Sequence, residues 1–99
     1  MAALEDAREL ARLMGLLANE NRLLILCRLM DGPAAVGELN RSVPRISASA
    51  LSQHLQTLRS AGLVEGDKQG QYVVYRIKDP RLSRLFGLLR ELYCPALGE

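Results

Sequence analysis

The chain has 99 residues, 48 % of them hydrophobic and 24 % charged, which is the balance of one globular domain and excludes a disordered or fibrous polymer. A domain of that size buries a modest share of its surface alone, so a second copy is an expected source of core. The net charge of +2 is too small to argue for a nucleic-acid partner by itself. No apolar run approaches the ~18 residues that span a bilayer, and the N-terminus, Met-Ala-Ala-Leu-Glu-Asp, is acidic where a secretory signal is basic. The expectation is a cytoplasmic protein with no membrane partner, whose two cysteines are thiols by default.

Taken in order, Leu4 to Leu17 reads as a first helix, with Leu4, Ala7, Leu10, Ala11, Met14 and Leu17 on one stripe and Glu5, Arg8, Glu9 and Arg12 outside it. Asn19 is an N-cap for a second helix, and Glu20 suits the positive end of its dipole. That helix, RLLILCRLM, is apolar almost all round and stops at Asp31-Gly32-Pro33. Val36 to Val43 is a short third helix closed by Pro44. Ser47 caps a fourth that runs to about Ala61, where Gly62 supplies a left-handed stop. Leu63–Lys68 and Gln71–Lys78 read as strands, the second rich in β-branched and aromatic residues, with Gln69-Gly70 as the turn between them. Asp79-Pro80 starts a last helix carrying Leu82, Leu85, Phe86, Leu88, Leu89 and Leu92, with Cys94 at its end and Pro95 as its stop. The fold class is mainly α with a small β-hairpin, in the order ααααββα.

The middle of the chain carries the chemistry. From Arg41 to Lys78, six basic residues (Arg41, Arg45, Arg59, Lys68, Arg76, Lys78) face two acids (Glu65, Asp67), so this segment holds +4 and the remainder −2. A basic stripe of this kind is the footprint of phosphate contact, although charge alone fits a solvated face equally well. In the fourth helix Leu51, Leu55 and Leu58 fall on one face, while Ser49, Ser52, Gln53 and Gln56 fall opposite. Those side chains are short or amide-bearing, able to hydrogen-bond base edges and to let a helix enter the major groove. With no Arg on that face, much of the affinity is expected from phosphates and duplex shape. Ser47 offers a phosphate its hydroxyl and nearby backbone N–H groups. The hairpin tip, Lys68, Gln69 and Gln71, with Arg76 further along, fits a wing touching the minor groove or backbone. His54 lies at the edge of the apolar face, near core or DNA.

ALSQHLQTLRSAGLV followed by a hairpin ending VVYRI, with ANENRLLILCRLM before it, resembles the ArsR/SmtB family of winged-helix repressors. The resemblance covers nearly the whole chain. It implies a single winged helix-turn-helix domain over 1–99, with the helix-turn-helix at about 36–61 and the wing at about 63–78. It also implies a homodimer built from helices at about 4–17 and 80–94, binding near-palindromic double-stranded operator DNA. Many members sense metals, through thiols on the third helix or carboxylates and histidines on the last. Here the third helix reads VGELNRSV, and the last has no His and only Glu91, so no metal and no cofactor are expected.

Cys27 and Cys94 resemble instead the dithiol branch that includes BigR, SqrR and HlyU, which responds to persulfides or oxidants. That likeness implies that the end of the last helix lies near the second helix, where bridging of the two thiols by oxidant or reactive sulfur changes operator affinity. Arg28 and Arg90, next to the cysteines or one turn away, favour thiolates where they face the site. Other readings stay open: a regulator or anti-repressor without a thiol switch, a metal-responsive repressor with a site shared between protomers, and a winged helix used only for protein contacts. A dithiol oxidoreductase is disfavoured by the lack of a Cys-x-x-Cys, and no enzymatic activity is expected.

Overall fold

The computed structural model describes residues 1–94. Its elements run α1 (Ala2–Leu17), α2 (Glu20–Met30), β1 (Ala34–Ala35), α3 (Val36–Ser42), α4 (Ala48–Ser60), β2 (Val64–Gln69), β3 (Tyr72–Ile77) and α5 (Pro80–Leu92). Three helices begin where the sequence marks a cap. Asn19 Oδ1 accepts from the Asn21 and Arg22 N–H groups at 3.0 and 3.1 Å. Ser47 Oγ accepts from the Ala50 N–H at 3.0 Å, and Asp79 Oδ1 from the Arg81 N–H at 2.9 Å. Each cap satisfies a backbone donor that the first helical turn leaves without an intrahelical partner.

The sheet corrects the expected element order. It has three antiparallel strands in the order β1-β3-β2, not a lone hairpin. Ala34 pairs with Tyr75 and Ala35 with Val74. Two alanines carry no strand pattern of their own, and they become a strand only because β3 presents an edge to them. Tyr75 also stands opposite Gly66. A Cβ on Gly66 would fall 2.9 Å from Tyr75 Cε1, so the ring lies across the bare glycine backbone. The hairpin turn is Gly70-Gln71 and not Gln69-Gly70, because Gln69 pairs with Tyr72. Gly70 has φ +63, and glycine at the first central position suits a two-residue turn of the II′ type.

The core draws on α2, α3, α4, the start of β2 and the inner face of α5. Ile25, Leu26, Leu39, Leu51, Leu58 and Phe86 are fully enclosed. Arg28 clamps the α2–α3 corner: its guanidinium donates to the Gly32 carbonyl at 3.2 Å and to Glu38 Oε2 at 3.0 Å. Glu38 Oε1 in turn accepts from the Ala35 N–H at 3.2 Å. That backbone bond and Arg28 hold the Glu38 carboxyl below the usual carboxylate range.

The outer layer is less complete. Along α1 only Leu17 is buried, while Leu4, Leu10 and Met14 of the expected apolar stripe are 48, 54 and 46 % exposed. On α5, Leu88 and Leu92 are also exposed. The radius of gyration is 13.9 Å, above the roughly 13 Å of a compact chain this long. An open groove of about 700 Å³ runs between α1, the end of α4 and α5, walled by Leu10, Leu13, Leu16, Leu63, Leu82 and Leu85. No helix among the described residues is long and apolar enough to cross a membrane.

Candidate functional site

The outer face of α4 follows directly from its 3.6-residue period. Leu51, Leu55 and Leu58 are turned inward, buried to within 1 % of full enclosure, which leaves Ser49, Ser52, Gln53 and Gln56 exposed on the other side. Ser47 is exposed at the N-terminus of the helix, its oxygen occupied as the cap and its O–H still able to donate. Arg41, at the end of α3, is exposed, as are Lys68, Gln69 and Gln71 at the hairpin tip.

Arg76 stands apart from that group. Its Nε donates to Glu65 Oε1 at 3.0 Å, and its Nη2 is paired with Asp67 Oδ2. Both acids come from the neighbouring strand β2, so the cation expected to serve the wing is held within the sheet. Asp67 lies opposite Val74 and Glu65 opposite Arg76 in the register, an arrangement that cross-strand pairing alone produces.

His54 sits on the flank of α4, half-buried. Burial first, and then the nearby Arg22 cation, hold its pKa below the ordinary imidazole value. Arg22 itself is a residue the sequence reading passed over. Its Nε is buried without a hydrogen-bond partner, as is Asn40 Oδ1 on α3. ANENR carried a cap signal that accounted for Asn19 and Glu20, and nothing in it marked Arg22 as the charge beside the fourth helix.

The thiols belong to α2 and to the residues just past α5. Cys27 is 3 % exposed within the core cluster, and Cys94 is exposed. Both are free thiols. Burial raises the Cys27 pKa above the usual thiol value; Arg90 opposes that rise, and Cys94 and Asp31 add to it. Two details correct the sequence reading. Cys94 is not the last residue of the final helix: α5 ends at Leu92, with Tyr93 at φ −120 and ψ −29. Cys94 precedes Pro95, and the residue before a proline is disfavoured in the helical region. The expected stop at Pro95 itself lies outside the described residues. Of the two arginines flanking the cysteines, Arg90 is the one whose charge lowers the Cys27 pKa, whereas Arg28 is committed to Glu38 and Gly32. Among the described residues no group of three or more His, Cys, Asp or Glu side chains is placed to hold a metal ion.

Residues 19–66 match the family model described as bacterial regulatory protein, arsR family. The chain is 45 % identical over 84 residues to the transcriptional activator HlyU of Vibrio cholerae, an alignment covering 85 % of this chain and 77 % of HlyU. The solved structure of reduced HlyU from Vibrio cholerae superposes with a TM-score of 0.87 at 40 % identity, covering 94 % of this chain and 97 % of that one. A homodimeric winged helix-turn-helix DNA-binding domain from Mycobacterium bovis superposes at 0.77 with 37 % identity, covering 92 % of this chain and 82 % of that one. The capped α4 behind its exposed polar face, the β2–β3 wing and these likenesses lead to one conclusion: the chain belongs to the ArsR family, as a winged helix-turn-helix transcriptional regulator and not an enzyme.

Proposed function

We propose that the protein is a homodimeric repressor whose hold on operator DNA is switched by bridging Cys27 to Cys94. The dimer forms through α1 and α5, whose exposed leucines and shared groove accept a second copy. A relative of this fold is described as homodimeric, and two-fold symmetry presents two α4 helices to successive major grooves. Ser49, Ser52, Gln53 and Gln56 read base edges; Ser47, Arg41 and the tip residues Lys68, Gln69 and Gln71 hold the backbone, and His54 supports α4 from its flank. Arg76 reaches a phosphate only by leaving Glu65 and Asp67. A regulator of this kind works beside the chromosome, in the cytoplasm.

What supports the switch is a free thiol buried on α2 and a second, exposed free thiol just past the end of α5, the helix that packs against α2. The exposed Cys94 meets the signal. Its thiolate attacks the outer sulfur of a low-molecular-weight persulfide, R–S–SH, forming Cys94–S–SH and releasing the thiol RSH. Cys27 then attacks the Cys94 sulfur and expels hydrosulfide, leaving a disulfide. If a second persulfide first extends the chain to Cys94–S–S–SH, attack on its middle sulfur gives a trisulfide, again with loss of hydrosulfide. Each added sulfur lengthens the bridge by roughly 2 Å, so the spacing of the thiols selects among oxidants. The bridge pulls α5 onto α2, and through the dimer it turns the two α4 helices out of register with the grooves.

The test uses duplex selected from a random library by the reduced protein. Glutathione persulfide is expected to weaken wild-type binding by about 5–150-fold, the range of a typical coupling between sites. Cys27→Ser and Cys94→Ser are expected to keep their affinity after the same treatment. Undiminished release of both variants overturns the switch. Failure of the reduced protein to enrich any duplex, even at low salt, overturns the DNA reading.

A further inference from the structure

Two residue pairs, each one helical turn apart, meet across α2 and α5. Asp31, the C-cap of α2, follows Cys27 by four positions. Cys94 follows Arg90 by four, and its N–H donates to the Arg90 carbonyl at 3.2 Å. The two helices pack against each other. Gly87 lies against Met30, with a Cβ there falling 3.9 Å from Met30 Cε. Farther along α5, Arg90 Nη1 stands 3.9 Å from Asp31 Oδ1, and the Arg90 cation also favours the thiolate of Cys27. Arg90 thus stands between one carboxylate and one thiol of α2.

That ion pair is loose. Hydrogen-bonded charge pairs close to about 2.7–2.9 Å, and the Arg28–Glu38 pair of this protein is at 3.0 Å. The Arg90 side chain is 23 % exposed and that of Asp31 56 %, so the cation is drawn into the protein while its carboxylate partner is bathed in water.

We propose that Arg90 is a shared cation, held by Asp31 while Cys27 is a protonated thiol and turned to the Cys27 sulfur as the thiolate forms. Arg90 is then the positioning residue that makes the buried thiol a nucleophile, and Asp31 is its competitor, setting how readily the site ionises. The proton leaves to solvent. The charged or titratable groups acting on Cys27 among the described residues are Arg90 and Cys94 from α5 and Asp31 from α2; Arg28 is held away by Glu38. This inference rests on the thiol-switch reading, because it assigns the activation of its second nucleophile.

The experiment reads thiolate absorbance near 240 nm against pH, without DNA, in a Cys94→Ser background with the Cys27→Ser, Cys94→Ser double variant subtracted. At a fixed pH below the midpoint, Arg90→Met is expected to lower the thiolate fraction by at least about threefold and Arg90→Lys to restore most of it. Asp31→Asn is expected to raise the fraction. Opposite signs from the two halves of one ion pair distinguish charge sharing from mere docking of α5, for which both variants move the midpoint the same way. Shifts of the same sign, or no shift, overturn the proposal and leave the thiol switch standing. Opposite shifts, with undiminished release of both Cys27→Ser and Cys94→Ser from DNA, uphold the charge sharing and sink the switch.

Discussion

Leucine is used in two opposite ways on the two sides of this molecule. In α4, Leu51, Leu55 and Leu58 are no more than 1 % exposed. In α1 and α5, Leu4, Leu10, Leu88 and Leu92 are 48 to 62 % exposed. Both sets recur at helical spacing, so both read as apolar faces. The difference lies in what covers them: the α4 leucines are closed within the common core of their own chain, with β2 packed against that helix, whereas these leucines of α1 and α5 are left exposed by the described residues. The lesson is that a period names a face and not its partner.

The sharpest test of that contrast is a pair of substitutions. Leu55→Ala is expected to cost about 2–5 kcal/mol, the range for a fully buried leucine whose cavity cannot collapse. Thermal or urea unfolding at one protein concentration measures it. Leu88→Arg is expected to leave the fold of the protomer intact while shifting sedimentation from dimer to monomer. It also removes the concentration dependence of the melting temperature that a dimer imposes. An unchanged dimer would show that this face of α5 is not the interface.

Smaller effects separate the wing from the helices. Gly66→Ala is expected to destabilise by about 1–3 kcal/mol, since the added methyl overpacks against the Tyr75 ring at 2.9 Å. Ser47→Ala removes a cap from the exposed end of α4 and is expected to cost ~1 kcal/mol. Ser47→Gly keeps most of the cap and also lacks the hydroxyl, so a hydroxyl that donates directly to a phosphate predicts equal loss of DNA affinity in the two variants, and a larger loss in Ser47→Ala shows that it acts through the cap.

The smallest effect concerns pH. His54 has a folded pKa below its ordinary value, so the fold prefers the neutral imidazole. The associated stability is present above the ordinary value, near pH 6.5, and is lost as the pH falls through the lowered folded value. Stability is therefore expected to decline as the pH falls below about 6.5, and His54→Gln to flatten that decline. Glu38 and Asp79, whose carboxyls are held low by Ala35 and Arg28 and by Arg81 respectively, act in a more acidic window. An unchanged slope in the variant would show that His54 is not the group responsible.

Much of the candidate site was legible beforehand, for local reasons. Ser47 and Asn19 are caps wherever they precede a helix, and the polar face of α4 follows from the placement of three leucines. Arg76 was not legible, because its fate depends on the cross-strand register that brings Glu65 and Asp67 beside it. Arg22 was missed for the same kind of reason, its neighbour His54 lying 32 positions away on another helix. Between Arg28 and Arg90 the sequence offered no choice; the clamp through Glu38 made it.

Helix starts, the apolar face of each helix, the winged class and the two thiols were set by residue order alone, because capping and periodicity act within a few positions of the chain. Three matters were settled only by tertiary contact. These are the β1 strand borrowed from β3, the withdrawal of Arg76 into the wing, and the pairing of Arg90 with Asp31 across α2 and α5. Each depends on residues far apart in the chain being brought side by side, and hydrogen-bond register and charge acting at a distance of a few ångströms exist only after the core has closed.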